Sequence, residues 1–360
     1  MNISKLVNFN ISNPLDLIIL YKLLNKGDKI CGETTREIKK QRKNGKIESK
    51  RISLRICIEI EKKNVDPLMK NISFLGRIVW SSKDIDIIHK YHSIKIGINS
   101  IVKIEKEKFN ENLNLLSLKK FKPLIKTNLI CILLEEHSYL ITEINENGVH
   151  ILDKFEETLT GKEDPLLHSK KTLEVFNKAA ASLIKIFNEK KKKYDIAVFG
   201  PSIFIQDFLK ILRKENPKLS NFIKKTAYVS SSSIAGIEEV LRNRLLIEYE
   251  ENIPLLKGVD IMEKILEKMA KGENIFSIGL NEVIFSLRQG AAEKILMSEN
   301  FLWNNLEKKE LDEILDLLFK TKAELIILPN NIESGEKLES FGGIISLNRW
   351  GFSFSKNFLS

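Results

Sequence analysis

The amino-acid sequence predicts a multidomain α/β protein: a small β-barrel, then an α/β domain, then a compact α/β/α sandwich. Residues 52–60 (Ile-Ser-Leu-Arg-Ile-Cys-Ile-Glu-Ile) alternate apolar and polar side chains, the pattern of a strand with one buried face. Past Phe121-Lys122-Pro123 the apolar runs become continuous and alternate with amphipathic helices. The chain has 360 residues, and single cores stop growing near about 250–300 residues, so two or three domains are expected.

In chain order, Asn13 suits a helix cap and Pro14 a first turn, which places a helix over 14–24. Gly27-Asp28 and Asn44-Gly45 read as turns, the second typical of a hairpin. Strand patterns follow over 71–79 and, as one stretch, over 92–106. The segment 121–123 reads as a linker. Beyond it, strands are expected over 129–134, 138–143 and 148–153. A long amphipathic helix covers 174–193, with Phe176, Ala179, Leu183, Ile184 and Phe187 on one stripe. A strand over 194–199, a Gly200-Pro201 turn, a helix over 203–213 and a helix over 237–249 complete this part. A second boundary falls at Pro254 to Gly258. After it come helices to about residue 270, over 280–289 and over 308–320, a short helix near Glu336, and strands over 294–297, 324–328 and 344–347. The expected domains are 1–122, 126–254 and 259–356.

Composition narrows the function. Lys and Arg number 58 against 48 acidic residues, a net charge of +10, and apolar residues make up 43%. That excludes a wholly disordered chain and favours a polyanionic partner, without choosing between RNA, DNA and an anionic membrane surface. The three cysteines, Cys31, Cys57 and Cys131, are odd in number and match no metal spacing, so neither a disulfide nor a zinc knuckle is expected and the compartment is expected to be reducing. No stretch approaches the ~18 apolar residues of a spanning helix, and the first residues lack a cleavable signal. A soluble, cytoplasmic protein with no membrane association is expected.

The strongest chemical feature is basic. Arg36, Lys39, Lys40, Arg42, Lys43, Lys46, Lys50, Arg51 and Arg55 flank the Asn44-Gly45 turn, with only Glu37 and Glu48 between them. Such a finger binds phosphates with a salt-dependent affinity, and no Asn/Gln/Arg spacing in it specifies bases. A solvated hairpin is the bland alternative. Lys190 to Lys193 suit a helix C-terminus. Gly200-Pro201-Ser202 resembles a phosphate turn but lacks the P-loop spacing. Ser230 to Ser233 either greet a partner or place Ser233 as a helix cap. Hydrolytic chemistry has little support: the five histidines show no ligand spacing and no Gly-x-Ser-x-Gly exists. Asp16, Asp28 and Glu33 are carboxylates that a divalent metal would need for phosphodiester cleavage, but caps and turns use the same residues.

Taken in order, these segments resemble the Pelota family, paralogues of the class-1 translation termination factors. The likeness is carried by Asp16-Leu17 through Tyr21, Gly27-Asp28, Thr34-Thr35-Arg36 and Tyr91-His92-Ser93-Ile94-Lys95-Ile96 followed by Phe109. It continues in Gly200-Pro201-Ser202-Ile203-Phe204, Ser231-Ser232 with Gly236 to Val240, Gly279 to Val283, Gly290 to Glu293 and Ser298-Glu299. Gly335 to Leu338 with Phe341 to Ile344 closes the series. The resemblance implies an Sm-like barrel, a middle domain of the RNase H-like kind and a C-terminal domain like kink-turn-binding ribosomal proteins. It implies ribosome rescue: entry into the empty decoding site of a stalled ribosome and its mRNA, delivery by a GTPase of the elongation-factor-1-alpha type, and subunit splitting with a recycling ABC ATPase. Pro201 and Phe204 fall where the family meets its GTPase, although Ser202-Ile203 replaces the single family glycine before Phe204. The protein is expected to be monomeric when free and to need no cofactor for rescue. A divalent metal enters only under the rival reading, an endoribonuclease cutting stalled messages, with Asp16 and Glu33 as its candidates. The chain holds no Gly-Gly-Gln; its sole Gly-Gly is Gly342-Gly343. Peptidyl-tRNA hydrolysis therefore has no visible agent.

Overall fold

The structure, a computed structural model, describes residues 5–41, 47–106, 128–157, 165–190 and 194–351. The expected linker at 121–123 lies outside them. The chain divides into two compact units, residues 1–121 with 302–320, and residues 122–301 with 321–360.

The first unit is built on six antiparallel strands: β1 (Lys5–Asn10), β2 (Lys29–Gln41), β3 (Ile47–Asp66), β4 (Asn71–Ser81), β5 (Tyr91–Ile96) and β6 (Ile101–Lys106), in the order β1-β6-β2-β3-β4-β5. Helix α1 (Pro14–Leu23) is apolar all round, as a helix enclosed by a sheet must be, and Leu17, Ile18, Ile19, Leu20 and Leu23 are fully buried. Asn13 caps it by accepting from the Asp16 amide at 3.0 Å. The stretch expected as one strand over 92–106 is two, because 97–100 form a turn in which Asn99 takes φ 69°. At Gly76 β4 passes so close over β3 that a Cβ would stand 1.8 Å from the Glu59 carbonyl oxygen.

Cys31 and Cys57 are register partners on β2 and β3 and form a disulfide. This overturns the expectation of none. The odd count leaves Cys131 over, buried in the second unit; pairing of the other two follows from register, which spacing in the sequence does not reveal.

In the second unit, β7 (Asn128–Leu134), β8 (Ser138–Asn145) and β9 (Gly148–Glu156) form a meander, and β10 (Tyr194–Phe199) and β11 (Ile223–Ala227) extend it in parallel with β7. The continuous apolar run of β7 is explained by burial on both faces. Ile130, Ile132 and Leu134 pack with Phe176 and Leu183 of α2 (Pro165–Glu189) and Phe208 and Leu212 of α3 (Ser202–Glu215). Leu129, Cys131 and Leu133 share a core with α5 (Ile234–Arg242) and α6 (Pro254–Ala270). A four-residue helix, α4 (Pro217–Ser220), precedes β11. The helix expected over 237–249 stops at Arg242, since Arg244 turns to φ 54° and a 3-10 turn follows at Ile247–Tyr249.

The last sheet has the order β12 (Phe276–Ile278), β15 (Ile344–Asn348), β13 (Ala292–Ser298), β14 (Glu324–Leu328), with β13 and β14 parallel. Helices α7 (Leu280–Arg288) and α10 (Glu333–Ser340) pack on it. Segment 254–258 opens α6, and Gly258 lets this helix lie against Ile326 and Leu328; a Cβ there would come within 2.6 Å of Leu328. Helices α8 (Glu299–Asn304) and α9 (Lys309–Thr321) follow β13, and α9 buries Leu311, Ile314, Leu315 and Leu318. No helix among the described residues is long and apolar enough to cross a membrane.

Candidate nucleic-acid interface

The basic finger is a two-stranded ribbon. β2 lies beside β6 only from Lys29 to Cys31, and β3 lies beside β4 only from Ile56 onward. Beyond those points β2 and β3 pair with each other alone, from Glu33↔Arg55 to Gln41↔Ile47. Nine further residues per strand at about 3.3 Å each carry the ribbon roughly 30 Å out. The disulfide ties its root.

Register places three acids directly across from cations: Glu33 from Arg55, Glu37 from Arg51 and Glu48 from Lys40. Arg55 donates to Glu33 at 3.0 Å, and both are exposed. Such a pair is worth well under about 1 kcal/mol. Arg36, Lys39 and Lys50 face Ile52, Ser49 and Ile38, which carry no charge. Register partners share a face and faces alternate along a strand, so the cation positions fall on both faces of the ribbon. Arg42, Lys43 and Lys46 lie outside the described residues.

Arg36 is anchored, not free. Its Nη1 donates to the Tyr91 carbonyl at 3.2 Å and lies 3.4 Å from His92 Nδ1. With Nδ1 accepting, the imidazole proton sits on Nε2, which donates to Thr34 Oγ1 at 2.9 Å. Burial, and then the Arg36 charge, hold His92 below the usual histidine pKa, so the ring is neutral at pH 7. β5 thus braces the ribbon near its root.

The carboxylates proposed for metal-dependent cleavage are engaged elsewhere. Asp16 is fully buried and accepts from the Ser12 amide at 2.8 Å and the Ser12 hydroxyl at 2.9 Å. Asp28 accepts from the Asn25 amide at 2.8 Å and pairs with Lys106 at 3.3 Å. Glu33 holds Arg55. Among the described residues no group of three or more His, Cys, Asp or Glu side chains is placed to hold a metal ion.

In the second unit, Gly200 takes φ 139° and a Cβ on it would stand 2.4 Å from the Leu134 carbonyl oxygen, so the turn after β10 needs glycine. Pro201 is the N-cap position of α3. Phe204 turns inward, its ring 5.7 Å from that of Phe176, while Ile203 is 64% exposed. Tyr228, which follows Ala227 beside Gly200, is 67% exposed. The serine loop is tied to its neighbours: Ser232 Oγ donates to Glu135 at 2.9 Å, and the Ser230 amide donates to Glu239 at 3.0 Å. Ser233 holds the N-cap position of α5 without a capping bond from its side chain. Lys190, one residue past α2, pairs with Glu143; residues 191–193 lie outside the described set.

Residues 2–120 match the family model described as the Pelota N-terminal domain, and residues 255–352 match that of eRF1 domain 3. A pelota homolog of Staphylothermus marinus is 25% identical over 342 residues, covering 93% of this chain and 92% of the relative. Pelota of Thermoplasma acidophilum superposes with a TM-score of 0.60 at 15% identity, covering 96% of each chain. Pelota of Archaeoglobus fulgidus does so with a TM-score of 0.51 at 22% identity, covering 98% of each. The two solved structures show the shared fold. A barrel with a projecting ribbon, followed by two α/β sheets of which the last matches a termination-factor domain, is the architecture of these solved structures. Over nearly its whole length the chain is similar to the Pelota family, and residues 2–120 match that family's N-terminal domain.

Proposed function

We propose that this protein rescues stalled ribosomes: the ribbon enters the vacant decoding site and mRNA path, and the subunits are split without release of the peptide. The observation that carries the reading is the ribbon itself, about 30 Å of paired backbone tied at its root. Nine cations lie on residues 33–55 against three acids. Attraction to phosphates is independent of sequence, which suits a stall on any message. Likeness to the Pelota family supports the same role, and the lack of Gly-Gly-Gln fits the lack of peptide release. Delivery by a GTPase of the elongation-factor-1-alpha type and splitting with an ABC ATPase belong to this proposal, as does a division into three domains at 1–122, 126–254 and 259–356. The GTPase contact we assign to the turn at Pro201. Ile203 and Tyr228 offer the exposed apolar surface there, and Phe204 supports the turn from beneath. The endoribonuclease alternative gains no support from Asp16 and Glu33, both engaged in the bonds described above.

The test is splitting of stalled ribosomes by the purified protein with GTPase, ATPase and nucleotides. Changing Arg42, Lys43 and Lys46 together to Glu removes three phosphate contacts. At roughly 0.7 log unit per contact per decade of salt, ribosome affinity near 0.1 M salt falls about 100-fold and the salt slope flattens by about 2. Unchanged splitting in that variant rules the ribbon out.

A further inference from the structure

Where β2 parts from β6 the barrel leaves a groove. β6 continues beside β1 to Ile101, while β2 turns away after Cys31. The wedge between them holds about 350 Å³. Gly32 lies against Ile94 and Val102, whose buried side chains close the floor; a Cβ on it would stand 3.3 Å from Ile94. The rim is polar and carries Glu33, Arg55, Lys95 and Asn99, with Ile101 beside them. Lys95 is exposed and has no ion-pair partner among the described residues. Ile101 is 68% exposed and so open to a ligand.

These features fit one kind of ligand. The volume is at the low end of the ~300–1,000 Å³ range of small-ligand sites. Lys95 suits a phosphate, with Arg55 beside it in its exposed pair with Glu33; the Asn99 amide offers donor and acceptor to a base edge, and Ile101 offers a flat apolar contact to a ring. β2 carries both this groove, at Gly32 and Glu33, and the ribbon that starts beyond it. We propose that the groove holds one nucleotide of a single-stranded RNA that lies along the ribbon. This rests on the ribbon's reading as an RNA-contacting element, and adds a discrete binding site at its root.

The experiment uses the full chain and a labelled single-stranded RNA of about twelve nucleotides, a length within the usual site sizes, bearing 4-thiouridine. Crosslinked peptides are mapped by mass spectrometry, and affinity is read by anisotropy across a salt series. Crosslinks to the peptide spanning 94–102 are expected. K95E should weaken binding about tenfold and lower the salt slope by about 1, and K95R should bind as wild type. N99A should weaken binding about threefold with its slope unchanged, because it removes no charge. Thermal melts of K95E and K95R should match wild type, since Lys95 is exposed; N99A should melt somewhat lower, because alanine is strained at φ 69°, and its binding is read well below that melt. Crosslinks confined to the ribbon, with K95E and N99A binding as wild type, would overturn the groove and leave the ribbon standing. Displacement of the RNA by a nucleoside monophosphate at equal concentration would overturn the strand in favour of a free nucleotide. Absence of any RNA binding by wild type would sink both.

Discussion

Replacing Cys31 and Cys57 together by serine cuts the tie at the root of the ribbon. The two residues are 26 positions apart. Closing a loop of that length confines the unfolded chain by roughly 12 cal/mol/K, or about 3.5 kcal/mol at 25 °C. The folded side changes little, because thirteen register pairs from Lys29↔Glu59 to Gln41↔Ile47 hold the same two strands together without the bond. The loss therefore falls on the unfolded state. With a urea slope of about 2 kcal/mol/M, the barrel's midpoint should drop by ~1.5–2 M. Hydrogen exchange of β3 and β4 peptides across a urea series reads this unit apart from the rest. Wild type treated with a phosphine reductant should fall to the same midpoint as the double variant, and the reductant should not move the variant. Thiol titration in denaturant should find one free thiol before reduction, Cys131, and three after. A midpoint that neither reductant nor substitution moves would refute the argument.

Three further outcomes follow from the packing. The folded pKa of His92 is depressed, so the unfolded chain binds the extra proton first; stability present above about pH 6.5 should decline on acidification below it, and H92Q should flatten that decline in melts run from pH 7.5 to 5.5. G76A should destabilise the barrel by at least about 2 kcal/mol in a thermal melt, because the new methyl meets backbone that has nowhere to move. F204A should cost roughly 2–3 kcal/mol by leaving Phe176 unsupported, whereas I203A should melt within about 0.5 kcal/mol of wild type and yet lose GTPase capture in a pull-down.

The contrast between Ile203 and Phe204 shows what a sequence can disclose at a site. The buried residues of α3 are Ile205, Phe208 and Leu212. Phe204 stands four residues before Phe208, on that stripe, while Ile203 shares its face with Asp207 and Lys210. Helical periodicity therefore held the distinction, but the family motif drew attention to the aromatic residue. Strand patterns were legible for the same reason: β3 alternates over the barrel because one face is buried, and β7 does not alternate because both are. The breaks were harder to see. Asn99 and Arg244 end elements through positive φ, which neither residue's type demands. Cys31 and Cys57 meet only once β2 and β3 have chosen a register, a decision made by every pair along thirteen positions and by no local signal.

Register also decides how the ribbon uses its charge. Glu33, Glu37 and Glu48 each stand opposite one cation, while Arg36, Lys39 and Lys50, among the described residues, have no acid as register partner. Exposed cross-strand pairs are too weak to withdraw their cations from a phosphate. What the acids do is interrupt runs of like charge that would otherwise repel across two strands separated by about 5 Å. A ribbon with nine unrelieved cations would splay, and one fully neutralised would have no hold on RNA. The observed spacing satisfies both demands, and it does so by cross-strand position, which is why the same composition scrambled along 33–55 should keep its net charge and lose its reach.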